Sequence, residues 1–341
     1  MARSSSDYDE SDVRIRPSRR GSRPRSKDRP AHSDAVKARV TGVDRGRYTT
    51  YVDEDGERRV VIAMRARELG RKGIVVGDEV HLVGDTTGDV GSLSRIVRIS
   101  PRETLLRRTA DDTDPVERVL VANADQLVVV SALANPEPRP RLIDRCLVAA
   151  YDAGMEPLLV LTKADLTDPA PFLEQYAPLS VRNIVTARRD GVTDGLEEVR
   201  EALSGRVSVL VGHSGVGKST LVNALVPLAL RATGIVNDVT GRGRHTSSSA
   251  VALALPDDDG WVIDTPGVRS FGLAHVDLTR IVQHFADLEP GTAQCPRGCT
   301  HDEEECGLDA WVASGAAGPA GPSRLDSLRR LLRARTPDTD D

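Results

Sequence analysis

A glycine-rich segment between an apolar run and a helical pattern constrains this chain more than any other feature. The run VSVLV at residues 207–211 leads directly into GHSGVGKST at residues 212–220, and TLVNALV from residue 220 has the periodicity of a helix. A loop of the form G-x-x-x-x-G-K-S in this position turns backbone N–H groups toward phosphate oxygens at the N-terminus of the helix. The sequence therefore predicts a phosphate-binding loop inside an α/β domain.

The side chains of the predicted loop suit a nucleotide. Lys218 brings a positive charge to the β- and γ-phosphates, and the hydroxyl of Ser219 can bind Mg²⁺. His213 lies inside the loop, where we interpret it as a loop-filling residue and not as a catalyst. The residues predicted to surround the phosphates are Gly212, His213, Ser214, Gly215, Val216, Gly217, Lys218, Ser219 and Thr220.

Apolar runs alternate with helical patterns on both sides of this loop. Strands that are apolar on both faces and separated by helices indicate a parallel sheet covered on both sides, and we assign this domain to residues 118–273. The predicted strands are LVVVSAL from residue 127, PLLVL up to residue 161, VSVLV, AVALAL from residue 250 and WVID at residues 261–264. The predicted helices cover residues 141–153, 195–203 and 218–230.

The loop alone does not choose between ATP and GTP, so the base is read elsewhere. Thr162-Lys163-Ala164-Asp165 follows a buried strand, where a loop at a carboxyl end can hold a ligand. The Asp165 carboxylate can accept hydrogen bonds from the ring N–H and the exocyclic amine of guanine, whereas adenine would leave it unpaired at a cost of ~1–3 kcal/mol or more. Farther along, Thr186 and Ala187 follow VRNIV and could place a backbone N–H over the base.

The strand WVID ends in an acid that suits the other side of the phosphate loop. Asp264 can hold a water molecule on Mg²⁺, and the N–H of Gly267 can approach the γ-phosphate. The segment TGRGRHT at residues 240–246 is a polar loop able to close over the nucleotide. Its Thr246 is predicted to be a second Mg²⁺ ligand beside Ser219.

The charge of the chain is unevenly distributed. Its net charge of −5 combines a net +7 over residues 1–110, from 24 Lys and Arg against 17 Asp and Glu, with a net −12 over the remainder, from 22 against 34. In residues 14–29, eight basic residues accompany a single acid, and too few apolar side chains are present to offset the entropy of folding. We predict a disordered basic tail at residues 1–34, either a solubilising segment or an arm for RNA phosphates.

Five short β-rich runs within residues 36–99 predict a small closed barrel of the OB type, which we assign to residues 35–103, followed by a polar linker at residues 104–117. Tyr48 and Tyr51 are its only aromatic residues, so RNA contacts are expected mainly through phosphates. A barrel that merely packs on its neighbour is the alternative. The arginines that make the barrel basic are Arg39, Arg45, Arg47, Arg58 and Arg59.

Three of the four cysteines lie with a histidine inside twelve residues near the C-terminus. The pattern is Cys295-x₃-Cys299-x-His301-x₄-Cys306. A Cys₃His set completes a tetrahedral Zn²⁺ shell with no open position, so we predict one structural zinc ion in a helical module at residues 274–341. Chance clustering or a redox pair is the alternative. The module also contains an amphipathic basic helix at residues 322–335, and Cys146 is a core residue of another helix.

These motifs run in the order base, base, phosphate loop, switch I, switch II, which a circularly permuted GTPase explains. The chain resembles the ribosome small-subunit-dependent GTPase A family over residues 36–335. The resemblance is carried by VANADQ at residues 121–126, TKADL at 162–166, GHSGVGKST, GRGRHT at 241–246, DTPGVRSFGL at 264–273 and the cysteine cluster. Thr162 stands where the family usually has Asn, and the first and last zinc spacings are one residue shorter than usual.

The resemblance implies hydrolysis of GTP to GDP stimulated by the 30S ribosomal subunit, binding to 16S rRNA, and a role in late maturation of that subunit. By position, it implies that Lys163 and Asp165 read guanine. Val268 follows Gly267, so the Gln that orients water in Ras-like GTPases is missing. We therefore predict that His245 orients the attacking water, with contact to rRNA as its alternative role.

Two other classes of function compete with a GTPase. One is a nucleotide-gated rRNA-binding scaffold with incidental hydrolysis, and the other is an ATP-using or metal-handling protein. Asp165 and the order of the motifs argue against ATP, and the closed Cys₃His set argues against metal delivery. No apolar run approaches the ~18 residues of a membrane span, and the first residues lack the core of a signal peptide, so we expect a cytoplasmic monomer without a membrane partner.

Overall fold

The computed structural model describes residues 32–70, 73–109, 117–226, 250–256, 259–266, 273 and 276–334. Asp34–Asp341 form one compact unit of the chain. Almost all of the predicted tail lies outside the described residues, as do His245 and Thr246 with their loop, and Gly267.

Five strands near the N-terminus close into a small barrel, as the sequence predicts. They are β1 (Val36–Asp44), β2 (Arg47–Glu54), β3 (Glu57–Arg65), β4 (Glu79–Gly84) and β5 (Ser94–Ile99). Successive side chains point to opposite faces, so inward residues such as Val52 and Leu82 are fully buried while their neighbours are not. Because β1 pairs with both β2 and β4, the order β1-β2-β3-β5-β4 closes on itself in the manner of an OB-type barrel.

The segment interpreted as a polar linker includes a strand. β6 (Leu105–Arg108) pairs with β7 (Arg118–Ala122) in a two-stranded ribbon. Leu106 is fully buried in the largest hydrophobic core, and removal of its apolar surface from water stabilises the ribbon.

The second half of the fold is an α/β domain with a mainly parallel sheet. Its strands are β8 (Gln126–Ala132), β9 (Glu156–Thr162), β10 (Arg182–Val185), β11 (Ala187–Arg189), β12 (Val192–Asp194), β13 (Arg206–Val211), β14 (Val251–Ala254) and β15 (Gly260–Asp264). Its helices are α1 (Pro140–Asp152), α2 (Ala170–Tyr176), α3 (Leu196–Leu203) and α4 (Lys218–Leu225). The predicted helix at residues 218–230 therefore ends earlier within the described residues, and residues 227–230 lie outside them.

The sheet runs in the order β10-β9-β8-β13-β15-β14. The first five strands are parallel to one another, which confirms the prediction for them. The prediction is wrong for β14, which pairs with β15 in the antiparallel direction. Only residues 255–259 connect these two strands, and a parallel connection needs a crossover of a dozen residues or more.

The barrel and the α/β domain share one sheet. Gly42 of β1 lies opposite Val251 of β14, and Val251 in turn lies opposite Asp264 of β15. Beside this contact the ring of Tyr51 meets the edge of Trp261, with ring centroids 5.0 Å apart. A short row of backbone pairs therefore joins the barrel to Asp264.

The C-terminal part is helical. It contains α5 (Leu278–Gln283), a 3₁₀ helix (Glu289–Gln294), α6 (Gly307–Ala313) and α7 (Gly321–Arg333). The basic helix predicted at residues 322–335 is α7, which packs on α1, where Arg330 donates to the buried Asp144 at 3.2 Å. Burial raises the pKa of the Asp144 carboxyl, and Arg330 opposes that shift. In the part of the chain that the structure describes, no helix has the length and apolarity needed to cross a bilayer.

Candidate functional site

The predicted nucleotide-binding residues meet at one edge of the parallel sheet. Thr162 ends β9, Thr186 follows β10, Gly212 follows β13 and Asp264 ends β15. These strands run in the same direction, so their carboxyl ends lie side by side, which is where ligands bind in open α/β sheets. Four sequence motifs therefore meet at one edge of the sheet, and we call the space outside these strand ends the crevice.

The phosphate loop takes the strand–loop–helix form that its sequence predicts. β13 ends at Val211, and α4 begins at Lys218. Gly217 precedes the helix at a φ of 93°, a left-handed conformation that favours glycine. At Gly212 a Cβ atom would lie 2.5 Å from the carbonyl oxygen of Val130, so no larger residue fits there. Ser219 and Thr220 are exposed in the first turn of the helix, and a ring nitrogen of His213 lies 2.9 Å from the carbonyl oxygen of Ser214.

The phosphate-loop lysine contacts the end of β15. The ammonium group of Lys218 donates to a carboxylate oxygen of Asp264 and to the carbonyl oxygen of Thr265. Lys218 is 8% exposed, so this contact is largely shielded from water. Thr265 is itself anchored, because its Oγ1 donates to the carbonyl oxygen of Leu210 at 2.7 Å.

The T-K-x-D loop holds the phosphate loop from the side. Thr162 Oγ1 donates to the carbonyl oxygen of Val216 at 2.5 Å. Lys163 Nζ donates to the carbonyl oxygen of Gly215 at 2.9 Å and to that of Asn135. Sequence reasoning missed Asn135, although an Asn-Pro pair just after a buried strand indicates a turn at this edge.

The Asp165 carboxylate is exposed and is oriented by a backbone N–H group. Its Oδ1 accepts the N–H of Arg188 at 3.0 Å, and this bond is the main reason why its pKa lies below the ordinary value. The next loop is tied to β9, because the N–H of Thr186 donates to the carbonyl oxygen of Leu161 at 2.7 Å. Ala187 is buried beside it and begins β11. The Asp165 carboxylate and the backbone after β10 therefore lie together, as the prediction of a base-reading site requires.

The cysteine cluster forms a separate centre in the C-terminal part. The ligand atoms of Cys295, Cys299, His301 and Cys306 all lie within 4.8 Å of one another. Cys295 Sγ is 3.9 Å from Cys306 Sγ and 3.5 Å from His301 Nδ1, and Cys306 Sγ is 3.8 Å from the same nitrogen. A tetrahedral zinc ion with bonds of ~2.3 Å to sulfur needs edges of ~3.8 Å, so the four side chains fit one structural zinc.

The loop that carries the four ligands, residues 295–306, is called the zinc loop here and is held by contacts with α6 and α7. Cys306 is 4% exposed and precedes the first turn of α6. From α7, the guanidinium of Arg329 donates to the carbonyl oxygen of His301 at 2.9 Å and forms a two-point contact with Asp309. The shorter spacing between ligands therefore still closes a compact set.

Comparisons with known proteins agree with this geometry. A family model described as RsgA GTPase matches residues 99–274. The small ribosomal subunit biogenesis GTPase RsgA of Pseudomonas aeruginosa strain LESB58 is 38% identical over 275 residues, which cover 78% of this chain and 77% of that protein. The protein of the same name from Gemmatimonas aurantiaca is 36% identical over 297 residues, with 83% and 93% of the two chains covered.

Solved structures share the fold. The crystal structure of YjeQ from Thermotoga maritima superposes with a TM-score of 0.62 at 27% identity, over 88% of this chain and 98% of that one. YloQ, described as a circularly permuted GTPase, superposes with the same TM-score of 0.62 over 91% of this chain and 100% of that one, at 20% identity. The second likeness bears on the fold alone.

Proposed function

The chain belongs to the RsgA GTPase family and is a circularly permuted GTP hydrolase, and we propose that it acts in the late maturation of the small ribosomal subunit. In this proposal the 30S subunit stimulates hydrolysis, and the protein contacts 16S rRNA as a cytoplasmic monomer. The observation that supports it best is that the residues predicted to read the base and to hold the phosphates meet at one edge of a sheet that is continuous with a basic barrel.

In the proposed complex, Asp165 accepts hydrogen bonds from guanine, and the backbone N–H of Ala187 faces the base. Gly212 to Thr220 surround the phosphates, with Lys218 near the β- and γ-phosphates. The hydroxyls of Ser219 and Thr246 would hold Mg²⁺, and Asp264 would hold a water on it, with Gly267 at the γ-phosphate. The exposed Ser219 hydroxyl and the Asp264 carboxylate suit a hard cation. When bound, Mg²⁺ neutralises charge on the phosphates.

For hydrolysis we propose His245 as the residue that orients or polarises the attacking water. The support comes from sequence, since Val268 occupies the place of the Ras-like glutamine. In this proposal, binding of the 30S subunit brings His245 to the attacking water, which would couple hydrolysis to 30S binding.

The barrel is the proposed contact for rRNA phosphates. Arg45 and Arg47 are exposed at the turn between β1 and β2. Arg58 and Arg59 are less available, because they pair with Asp53 and Glu54. Neither aromatic residue offers an open stacking face, since Tyr48 is buried and Tyr51 packs on Trp261. The surface therefore favours contacts to phosphates over stacking on bases.

We expect slow turnover of GTP by the protein alone and a rise of at least about tenfold on addition of purified 30S subunits, with no turnover of ATP.

The His245→Ala variant is expected to bind 30S normally and to lose about 100-fold of the stimulated rate. Phosphate release, measured with GTP and ATP in parallel, checks both. Turnover unaffected by 30S would favour the scaffold with incidental hydrolysis, and a normal stimulated rate in the variant would assign His245 to rRNA contact instead.

Thr162 is expected to take the place of the usual asparagine in tethering the phosphate loop. Thr162→Val removes the hydroxyl that donates to Val216 while keeping the shape, so the loop loses a bond worth on the order of 1 kcal/mol and GDP affinity should fall about fivefold. Titration with a fluorescent GDP analogue measures this. Thr162→Ser keeps the donor and serves as the control; equal weakening in both variants would contradict the tether.

A further inference from the structure

Lys218 has two acceptors at the end of β15, and both compete with its proposed partner. An ammonium group has three N–H donors, and in the structure Lys218 directs two of them to the Asp264 carboxylate and the Thr265 carbonyl. A phosphate that takes more than the one remaining donor would compete with these two acceptors. The competition is between two anions for one cation, so it is stronger than competition from a neutral acceptor.

The backbone that carries the two acceptors, at the last residue of β15 and the residue after it, is held in place. Thr265 is 4% exposed, and both its N–H and its Oγ1 donate to the carbonyl oxygen of Leu210. Leu210 lies opposite Asp264 in the sheet, on the strand that leads into the phosphate loop. Asp264 also faces Val251 on its other side. Because its backbone is held from both sides, Asp264 can release Lys218 only by rotating its side chain and not by a shift of its strand.

We propose that Asp264 is a positioning residue that competes with the nucleotide phosphates for Lys218, and that Mg²⁺ removes this competition by engaging the carboxylate. Affinity for the nucleotide then depends on Mg²⁺ through the Lys218–Asp264 pair, in addition to any direct bond between the metal and the phosphates. This inference rests on the Mg²⁺ role assigned to Asp264 above but not on the ribosome.

The competition predicts that removing a carboxylate from the proposed binding site strengthens the binding of nucleotide in the absence of Mg²⁺. Asp264→Asn removes the competing anion and leaves an uncharged side chain of the same shape. Without Mg²⁺, GDP should bind about tenfold more tightly to this variant than to the wild type, because Lys218 is no longer held by an opposite charge. The increase in affinity that Mg²⁺ gives the wild type should shrink to less than about threefold in the variant.

Titration of a fluorescent GDP analogue in Mg²⁺-free buffer and in excess Mg²⁺ tests the inference. Mg²⁺ should be removed with a resin and not with a strong chelator in the sample, because a chelator would also compete for zinc at the cysteine cluster. Glu201→Gln, on the exposed face of α3, removes one negative charge outside the crevice and should change neither affinity. Asp264→Glu keeps the charge and should keep the Mg²⁺ dependence.

The possible results distinguish the competition for Lys218 from the Mg²⁺ role of Asp264 on which it rests. A wild-type affinity that does not respond to Mg²⁺ would overturn the Mg²⁺ role of Asp264 and the competition with it. A normal Mg²⁺ response in the wild type, with equal or weaker Mg²⁺-free binding by Asp264→Asn, would overturn the competition alone. If the asparagine variant does not fold, Asp264→Ser also removes the charge, and the same two affinities decide the question.

Discussion

Replacing Asp165 by asparagine is expected to weaken GTP binding by about 100-fold and to create affinity for xanthosine triphosphate. Guanine presents two donors to this position, and a carboxylate accepts both, whereas an amide offers one acceptor and one donor. The variant therefore loses a hydrogen bond to a charged group, worth ~1.5–3 kcal/mol, and turns its own N–H groups toward the guanine amine. Xanthine has an oxygen in place of that amine and matches the amide.

The contacts of Asp165 predict a larger loss of GTP affinity in this variant than the loss of a charge alone would cause. Oδ1 of Asp165 already accepts the N–H of Arg188 at 3.0 Å. An asparagine that keeps this bond with its carbonyl oxygen must direct its amide group into the crevice. Rotation to face guanine with the carbonyl oxygen would instead place the amide against the Arg188 N–H. Either orientation leaves two donors facing each other.

Competition titrations with GTP, ATP and xanthosine triphosphate measure the change in base preference. Asp168→Asn is the matched control, because it makes the same substitution three residues farther along, where the carboxylate accepts the N–H of Ala170 outside the crevice. It should leave GTP affinity within about twofold. Wild-type GTP affinity in Asp165→Asn, or no gain for xanthosine triphosphate, would show that Asp165 does not read the base.

Local patterns in the sequence are enough to predict much of the architecture. The alternation of buried and exposed residues along β2, with Tyr48 and Val52 inward, is a property of a short segment. The meeting of Thr162, Gly212 and Asp264 at one edge also needs only the identity and direction of their strands. Both kinds of inference depend on features that a few consecutive residues encode.

Contacts made by backbone carbonyl groups could not be predicted in the same way. Lys163 reaches Asn135, and Lys218 reaches Thr265, through carbonyl oxygens that every residue type possesses. Nothing in the residue type marks such an acceptor, and its position depends on how distant loops are placed relative to each other. The pairing of Gly42 with Val251 is of the same kind, because it depends on two strands that are 209 residues apart in sequence.

Replacing Cys306 by serine is expected to abolish zinc binding and to lower the temperature at which the C-terminal part unfolds by about 10 °C or more. A neutral hydroxyl is a poor substitute for a thiolate, and structural zinc supplies an apparent ~10–16 kcal/mol in small zinc domains, where metal binding and folding are coupled. Even a loss of a few kcal/mol would give a shift of that size, at ~4–8 °C per kcal/mol for a unit of 60–100 residues.

The effect should extend beyond the zinc loop because α7 connects it to the rest of the protein. Arg329 of α7 donates to His301 in the loop, while Arg330, the next residue, donates to Asp144 of α1. The two arginines lie on different sides of one helix. When the loop loses its metal, the His301 carbonyl that Arg329 contacts is no longer held in place, so the packing of α7 on α1 has less support although Arg329 keeps its contact with Asp309.

Metal content per chain and thermal unfolding followed by circular dichroism test this expectation. Cys146→Ala is the control, since Cys146 is fully buried in α1 and apart from the cluster, and this variant should keep one zinc ion per chain. Adding zinc to a chelator-treated wild type should restore its unfolding temperature, whereas Cys306→Ser should not respond, because its ligand set stays incomplete. One zinc ion per chain in Cys306→Ser, with an unchanged unfolding temperature, would mean that the remaining three side chains suffice and that Cys306 contributes only as a buried side chain.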